Sequence, residues 1–539
     1  MIQTLPRLGL KFASTLLLSA VLLTTTPPPV SAQSKITAFA QAIAEAATGD
    51  EDIAAFYRDN GYEPIWTGTS ETHAARREAL FRAIQHAPDH GLPAADYNTA
   101  ALEAQLRAIA SPRDVGQAEV ALSALFLRYA KQIQTGILTP SKVDNGIKRE
   151  VPLRDRTELL QTFTTSTPAP FLRNLPPKSE EYARLMREKL RLERDLASGG
   201  WGAKVPANSL KPGQSGEAVI ALRNRLISMG YMDRIATATY DANLQKAVQD
   251  FQEAHGLNAD GVAGAGTISA INAGISDRIE SILVAMERER WMNIERGDRY
   301  IWVNLTTFSA RIVDGGKVTF ETRSVIGKNT GDRRTPEFSD VMEHMVINPT
   351  WHVPRSIVTK EYLPAMQRNP GAAGHLKLID SRGRVVSRSS VNFSAYNARN
   401  FPYAMKQPPS SRNALGLVKF IFPNKYNIYL HDTPAKSLFA REVRAYSHGC
   451  IRLQQPFEFA YALLGPEVDD PKGTFHSYLR TGQESVVKLK KQVPVHLVYR
   501  TAFTDTQGRM NYRADIYDRD ARIWSALEAA GVRFTAGES

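Results

Sequence analysis

The segment Tyr446–Leu453 reads Tyr-Ser-His-Gly-Cys-Ile-Arg-Leu and contains the only cysteine among the 539 residues. A cysteine attacks a carbonyl carbon as the thiolate, and a nearby imidazole is the usual base that generates it at neutral pH. His448 lies two residues before Cys450, and His431 lies further upstream. Gly449 allows a sharp turn, so that main-chain N–H groups can face an oxyanion. The pattern predicts a cysteine nucleophile, although a lone cysteine is more often a small buried hydrophobic residue.

The order and spacing of these residues resemble the signature of the L,D-transpeptidase (YkuD-type) catalytic domain. In that family a first histidine precedes a [Ser/Thr]-His-Gly-Cys block, and here residues 432 to 446 separate the two parts. The resemblance implies that Cys450 is the nucleophile and that His431 takes its proton. It also implies that His448 and Gly449 shape the oxyanion loop, with the N–H of Cys450 as a donor.

Three further residues are weaker candidates for binding or orienting the substrate. Arg452 stands where many family members have asparagine, and its forked guanidinium suits either a substrate carboxylate or a structural ion pair. Tyr429 lies two positions before His431 on a predicted strand, Asn427–His431, so both side chains face the same side. Tyr429 therefore either orients the base, contacts substrate or fills the core. Ser447 opens the Ser-His-Gly-Cys block.

The composition indicates a globular chain of about three domains. It is 43% hydrophobic and 23% charged, and its formal net charge is +12. Such an excess of positive charge favours binding to nucleic acid, to an anionic membrane surface or to an anionic polymer. The basic residues are scattered and no nucleic-acid-binding motif appears, so no nucleic acid is expected. Given the resemblance of the Ser-His-Gly-Cys motif, an acidic cell-wall polymer is the better fit. No metal or cofactor is expected either, because His86 and His90 have Pro88 between them and no further ligand pattern follows.

Residues 1–32 read as a secretory signal peptide. Arg7 and Lys11 form its charged start, Phe12–Leu23 its apolar stretch and Val30–Ala32 its cleavage site. The apolar stretch is short for a membrane span, although an uncleaved anchor remains an alternative. After cleavage no stable membrane span is expected. In an oxidising compartment a single unpaired thiol is a liability unless it is used, so the sequence predicts a periplasmic enzyme.

Helical periodicity dominates the next two regions. Residues 33–206 predict a helical domain, and the run from Phe56 to Trp66 resembles the opening of the scaffold domain in large Gram-negative L,D-transpeptidases. Residues 207–275 resemble the peptidoglycan-binding type 1 module, a small three-helix domain, with Phe251-Gln252 and Asp260-Gly261 in the expected order. Thr267 is predicted to cap its third helix. The module either binds glycan or serves as architecture.

Alternating strand patterns begin near Arg299 and predict a mostly β catalytic domain over residues 278–502. The run from Asn348 to Pro354 predicts turns and is shared with the large family members, and the family gives His352 no role. Residues 356–411 break the strand pattern where those members insert a capping subdomain over the active site. Residues 503–539 predict a tail that returns to the scaffold. The fold class is therefore multidomain α+β.

The resemblance implies an enzyme that links peptidoglycan stem peptides by 3–3 cross-links through a cysteine thioester. Its partners are then the stem peptides and glycan of peptidoglycan. Two alternatives use the same nucleophile: an L,D-carboxypeptidase or hydrolase that passes the acyl group to water, and an enzyme that attaches outer-membrane proteins to the wall. A third alternative is an inactive wall-binding scaffold, which the intact Cys450, His431 and His448 disfavour.

Overall fold

The structure, a computed structural model, describes residues 37–534. The predicted signal peptide, residues 1–32, lies outside the described residues. Between residues 37 and 534, no helix combines the length and the apolar character needed to cross a membrane. The described chain is multidomain α+β: an N-terminal helical region, a three-helix module and a mostly β domain with an inserted subdomain.

The first region packs its helices around one apolar cluster, which includes Trp66, Phe126 and Phe163. Ser111 and Asp114 form a capping box at the start of its longest helix, which is buried over most of its surface. Such a helix needs apolar residues on nearly every face, as the sequence pattern predicts. The helices are α1 (Ala38–Ala46), α2 (Glu51–Asp59), α3 (Glu71–Gln85), α4 (Thr99–Arg107), α5 (Pro112–Thr135), α6 (Pro140–Val143), α7 (Arg156–Thr165), α8 (Pro168–Arg173) and α9 (Glu180–Ala197).

The second region has its own apolar cluster, which includes Leu222, Val248 and Phe251. The expectation that Thr267 caps its third helix is wrong, because that helix begins at Ala265. Thr267 lies inside the helix, where its hydroxyl accepts a 3.1 Å hydrogen bond from the buried Gln252. The three helices are α10 (Glu217–Ser228), α11 (Ala242–Ala254) and α12 (Ala265–Ile271).

Helix α13 (Ile275–Trp291) joins the regions, and four consecutive charged residues in it, 287–290, are buried. Arg288 contacts Glu337 of the β domain at 2.5 Å and Asp520 of the C-terminal tail at 2.8 Å. Glu287 accepts a 2.7 Å hydrogen bond from the main chain of Ile137. Buried charges must be paired, so these contacts fix the helix between the first region, the β domain and the tail.

The β domain is built on a nine-stranded mixed sheet with the order β11-β3-β12-β10-β9-β4-β13-β1-β2. Strand β13 is continuous over 14 residues, with a register shift against β4 between Lys488 and Val493. The strands of this sheet are β1 (Arg299–Asn304), β2 (Ser309–Asp314), β3 (Lys317–Gly327), β4 (Phe338–Ile347), β9 (Val418–Ile421), β10 (Leu430–His431), β11 (Ala445–Ser447), β12 (Ile451–Leu453) and β13 (Ser485–Val498).

A smaller four-stranded sheet, together with the helices next to it, forms the inserted subdomain, which we call the cap. The predicted turn around Trp351 contains a short strand that pairs with this sheet, so the prediction of turns throughout is wrong there. A π-helical turn, Val358–Tyr362, lies between the two short α-helices of the cap. The cap elements are β5 (Trp351–His352), α14 (Arg355–Ile357), α15 (Leu363–Arg368), β6 (Lys377–Ile379), β7 (Val385–Val386) and β8 (Ala404–Gln407).

The remaining elements complete the β domain and lead back to the first region. The tail packs its apolar side chains with those of α9 and α13 in a single cluster that includes Tyr182, Ile279 and Ile523. These elements are α16 (Pro456–Leu464), α17 (Pro471–Leu479), β14 (Ala502–Thr504), β15 (Met510–Tyr512) and α18 (Arg519–Ala529).

Candidate active site

A cleft of about 800 Å³ lies between the nine-stranded sheet and the cap. It gathers side chains that are up to about 120 residues apart in the sequence. Six of the seven residues that the sequence singles out line this cleft: Tyr429, His431, Ser447, His448, Cys450 and Arg452. The seventh, Gly449, lies in the loop that carries the cysteine.

Strand register brings the cysteine and the first histidine together. Cys450 immediately precedes β12, and His431 ends the parallel neighbouring strand β10. The N–H of Ile451 donates a 3.1 Å hydrogen bond to the carbonyl of Tyr429. Parallel pairing of two short strands therefore places the thiol and the imidazole at the same edge of the cleft.

The thiol is protonated in the resting cleft. Burial raises the pKa of Cys450 to about 11, and the N–H and hydroxyl of Tyr429 and the charge of Arg452 only partly oppose this. The Cys450 Sγ–H faces the carbonyl of Asn427 at 3.4 Å. Within residues 37–534, no hydrogen bond joins Sγ to the His431 ring. To act as a nucleophile, the thiol would therefore need a base.

His431 contributes a neutral imidazole to the cleft. Its side chain is buried, and its Nδ1 hydrogen-bonds the main-chain carbonyl of Asp432. A carbonyl can only accept, so Nδ1 carries the proton and the neutral ring has its lone pair on Nε2. Burial, and then the charge of Arg452, lower the pKa of His431 to about 3. Asp432 is itself fixed, because its carboxylate accepts hydrogen bonds from Leu417 N–H at 2.9 Å and Lys436 Nζ at 2.7 Å.

The loop before Cys450 is held in one conformation. Gly449 has φ +117°, and a Cβ there would lie 3.2 Å from Ile428, so the position requires glycine. The N–H of Gly449 donates to Ser447 Oγ at 3.0 Å, and Thr335 Oγ1 donates to the carbonyl of Gly449 at 2.7 Å. The N–H of Cys450 has no hydrogen-bond partner between residues 37 and 534. Of these two N–H groups, that of Cys450 is therefore the one free to meet an oxyanion.

Arg452 is one of four cationic side chains that line the cleft, with Arg333, Arg355 and Lys360. It makes no ion pair and no side-chain hydrogen bond with any described residue, and its Nε is buried without a partner. The sequence leaves two roles open for Arg452, a substrate carboxylate or a structural ion pair. The described residues show no such ion pair. An unpaired guanidinium facing a cleft is suited to a carboxylate ligand.

The second histidine of the signature joins the catalytic loop to the cap. His448 Nε2 lies 2.7 Å from Glu361 Oε1, on the π-helical turn of the cap, and Arg333 donates to the same oxygen at 2.5 Å. A second ion pair, Lys360 with Asp332 at 2.5 Å, joins the cap to the sheet domain alongside. We call these contacts the cap latch. Glu361 could not be predicted from the sequence, because it is 87 residues from His448.

The remaining candidates have supporting positions. The rings of Tyr429 and His431 have centroids 5.6 Å apart, so the two side chains do face the same side, although the strand there is shorter than predicted. Partial burial, and then the proximity of Cys450, raise the pKa of Tyr429 well above its usual value. Ser447 Oγ donates to the carbonyl of Cys450. His352, predicted in a turn, lies on β5 and lines the cleft.

Comparison with known proteins agrees with the sequence resemblance. Residues 298–477 match the family model of the L,D-transpeptidase catalytic domain. Residues 51–188 match the model of a scaffold domain, and residues 215–271 that of a "Putative peptidoglycan binding domain". The chain is 30% identical over 242 residues to a Haemophilus influenzae protein named "Putative L,D-transpeptidase". That match covers 44% of this chain and 48% of the relative, so the chain spans about half the length of that relative.

Two solved structures of L,D-transpeptidases also resemble the chain. One, from Xylanimonas cellulosilytica, is 15% identical with a TM-score of 0.16 and covers 55% of this chain and 98% of its own. The other, from Stackebrandtia nassauensis, is 17% identical with a TM-score of 0.22 and covers 54% of this chain and 96% of its own.

Proposed function

We propose that the chain forms 3–3 cross-links between peptidoglycan stem peptides through a cysteine thioester, because residues 298–477 match the family model of the L,D-transpeptidase catalytic domain. The observation that carries the proposal is the cleft itself. A lone thiol, a neutral imidazole, an unpaired guanidinium and a free main-chain N–H converge there beneath the cap. These are the groups that acyl transfer needs: a nucleophile, a base, a substrate anchor and an oxyanion donor.

In the acylation step, the Cys450 sulfur attacks the amide carbonyl between the L-centre of meso-diaminopimelate and the terminal D-alanine. His431 Nε2 accepts the thiol proton as the C–S bond forms. The Cys450 N–H stabilises the oxyanion. The C–N bond then breaks, and protonated His431 gives its proton to the leaving D-alanine amine. The product is a thioester on Cys450, and His431 is neutral again.

In the second step, the side-chain amine of a second stem peptide attacks the thioester carbonyl. Neutral His431 accepts a proton from that amine, the C–S bond breaks, and the thiolate recovers the proton from His431. A new amide then joins two diaminopimelate residues. His431 is neutral and its Nδ1 proton is held by the carbonyl of Asp432, so the Nε2 lone pair is the site that would accept each proton.

Arg452 is proposed to hold a substrate carboxylate. The stem peptide carries carboxylates at diaminopimelate and at D-alanine, and the guanidinium faces the cleft without a protein partner. A charge-assisted hydrogen bond at this point would orient the scissile amide over Sγ. Because Arg452 also favours the thiolate, substrate binding and nucleophile activation are coupled through one side chain.

The cap is proposed to favour an amine acceptor over water. The cap latch closes one side of the cleft above the catalytic loop, and exclusion of water protects a thioester from hydrolysis. If the latch failed to exclude water, the same chemistry would release tripeptide and the enzyme would act as a carboxypeptidase. A lysine of an outer-membrane protein could also serve as the amine.

The setting of the reaction completes the proposal. Export by residues 1–32 would place the enzyme in the periplasm, where peptidoglycan lies, and carbapenems would acylate Cys450. We propose the division that the sequence predicts: a scaffold domain at 33–206, a wall-binding module at 207–275, a catalytic domain at 278–502 with the cap at 356–411, and a returning tail at 503–539. The separate apolar clusters of the first region, the module, the large sheet and the cap support it.

The test is mass spectrometry of muropeptides after incubation of the mature protein with disaccharide tetrapeptide. A dimer linked between two diaminopimelate residues is expected with the wild type and not with the Cys450→Ala variant. Cysteine-dependent tripeptide without dimer would replace the proposal by carboxypeptidase activity. No cysteine-dependent product, with no adduct on an added outer-membrane protein, would overturn it.

A further inference from the structure

A second cavity, distant in sequence from the catalytic loop, is larger than the active-site cleft. It has a volume of about 1130 Å³ and is lined by α9, the three-helix module and the hairpin β14–β15. We call it the crevice. The hairpin is fixed to the other two walls: Arg513 donates to the carbonyl of Ala254 at 2.7 Å, and Glu181 accepts from Thr504 N–H at 2.8 Å. The crevice is therefore formed only where three separate segments of the chain meet.

Two polar groups of the crevice lining have no hydrogen-bond partner among the described residues. Tyr512 is only 8% exposed, with Arg278 stacked 4.5 Å over its ring and His255 stacked at 5.5 Å. Its hydroxyl nevertheless makes no hydrogen bond with residues 37–534. Burial raises the pKa of Tyr512 well above its usual value, so the hydroxyl stays protonated and can donate. The indole N–H of Trp201, also in the lining, is buried without an acceptor. The Tyr512 hydroxyl is therefore accessible from the crevice, whereas the Trp201 N–H is buried and lacks the partner that buried donors normally have.

The lining carries an excess of positive charge, with six arginines against four carboxylates. Part of this charge is neutralised within the protein, as Arg191 pairs with Glu188 at 2.7 Å and Arg509 with Asp505 at 3.0 Å. Arg187 and Arg194 are different. They lie seven residues apart on α9, hence on one face of the helix, and form no ion pair with any described residue. The mouth of the crevice is therefore available to an anion.

We infer that the crevice binds an anionic carbohydrate chain, specifically a peptidoglycan glycan strand with its lactyl carboxylates. Donors with aromatic bodies, such as Trp201 and Tyr512, suit sugar hydroxyls, and free guanidinium groups suit carboxylates. The inference rests on the proposed function for the polymer that it names. It places that polymer between the module and the scaffold region, where the module supplies only one of the walls.

The probe that separates this site from the cleft is a glycan strand stripped of its stem peptides. Such strands keep a free lactyl carboxylate on every second sugar, but they offer no scissile amide to Cys450. Binding is measured by isothermal titration calorimetry on the full mature chain, with neutral N-acetylglucosamine oligomers and poly-glutamate as the other two ligands.

The expected result is that the stripped strands bind, and that the Arg187→Ala/Arg194→Ala double variant weakens binding about tenfold. Tyr512→Phe, which removes only the hydroxyl, should weaken it about threefold. The control is Arg58→Ala/Arg107→Ala, two arginines of the first region outside the crevice, and it should bind like the wild type. Neutral oligomers should bind more weakly than the strands.

Equal binding by the wild type and both crevice variants, or tighter binding of poly-glutamate than of the strands, would overturn the inference. The cross-linking assay on disaccharide tetrapeptide is run in parallel with the same double variant. It should be unaffected, so failure of the crevice and failure of the proposed catalytic function give different results.

Discussion

The cleft and the crevice differ in how the chain builds them. The cleft has the smaller volume, about 800 Å³ against about 1130 Å³, yet it holds the thiol and the imidazole that we propose as its base. Its chemistry depends on the register of two short strands and on a glycine at φ +117°. The crevice contains no nucleophile, and its arginines and aromatic rings come from helix faces and a hairpin. Reactive groups are thus placed by main-chain geometry, whereas the binding surface is placed by packing between segments.

The two cavities also treat charge differently. In the cleft one cation, Arg452, acts on both reactive groups, lowering the pKa of His431 and opposing the rise in the pKa of Cys450. In the crevice several arginines are spread along the walls, and part of their charge is neutralised by neighbouring carboxylates. A single substitution should therefore have a large effect in the cleft and a graded one in the crevice.

The largest expected effect is that of Cys450→Ala. Removal of the nucleophile should lower cross-linking by at least about a thousandfold. Binding of stripped glycan strands, measured by calorimetry, should stay the same, because the crevice does not contain Cys450. Cys450→Ser and the melting temperature serve as controls for the fold. If Cys450→Ala also lost strand binding, the two cavities would not be independent.

Arg452→Ala should come next, with KM for the tetrapeptide about 30- to 100-fold higher, because a charge-assisted hydrogen bond to a carboxylate is lost. Steady-state kinetics with Arg452→Lys as the matched variant measures how much of the effect is charge alone. Amidation of the carboxylate that Arg452 holds should abolish the difference in KM between the wild type and Arg452→Ala, whereas the effect of Arg452 on the thiol should remain in kcat. The amides at diaminopimelate and at D-alanine are tested separately, and a difference in KM that survives in both would contradict the anchoring role.

The sequence predicts much of the cleft and almost none of the crevice. Cys450 and His431 are found from their order and spacing, and strand alternation correctly places Tyr429 on the same side as His431. The latch residue Glu361 could not be found, because a contact across 87 residues depends on how the cap folds back over the sheet.

The misread elements have local causes. Trp351 and His352 form a strand inside a run flanked by prolines, where a two-residue pairing is too short to show alternation. The crevice lies beyond local reasoning altogether, because Arg187 and Tyr512 are ordinary surface and strand residues until three segments meet.

The third prediction compares stability in acid. In the crevice, His255 stacks on Phe251 at 3.7 Å, and burial lowers its pKa to about 3. Because the pKa of His255 is lower in the folded state, the unfolded state takes up the proton at a higher pH. The contribution of neutral, buried His255 to the free energy of unfolding is therefore complete above about pH 6.5. It is lost as the pH falls from about 6.5 to about 3, by at most about 1.4 kcal/mol per pH unit.

Replacement of His255 by Phe keeps the ring stack and removes the titration. Urea unfolding is followed through the transition that includes the module. Between pH 6 and pH 4, the free energy of unfolding should fall less steeply in the His255→Phe variant than in the wild type. At pH 7 to 8 the two proteins should differ only by a constant amount, which serves as the internal control. Equal slopes in acid would contradict a neutral, buried His255.

The smallest expected effect is that of Glu361→Gln, which tests whether the cap latch makes the cleft different from an open binding surface. The amide keeps the size of the side chain and a hydrogen-bond acceptor for His448, but it removes the charge that pairs with Arg333. Because all three side chains are about one-third exposed, the cap should loosen only moderately, and the ratio of tripeptide to cross-linked dimer should rise about threefold. Mass spectrometry of the muropeptide products measures that ratio directly.

Asp332→Asn is the matched control, since it breaks the neighbouring ion pair to the cap without contacting the catalytic loop. A larger change in the product ratio from Asp332→Asn than from Glu361→Gln would show that the cap is held by the ion pair of Lys360 with Asp332. His448 would then not take part in closing the cleft.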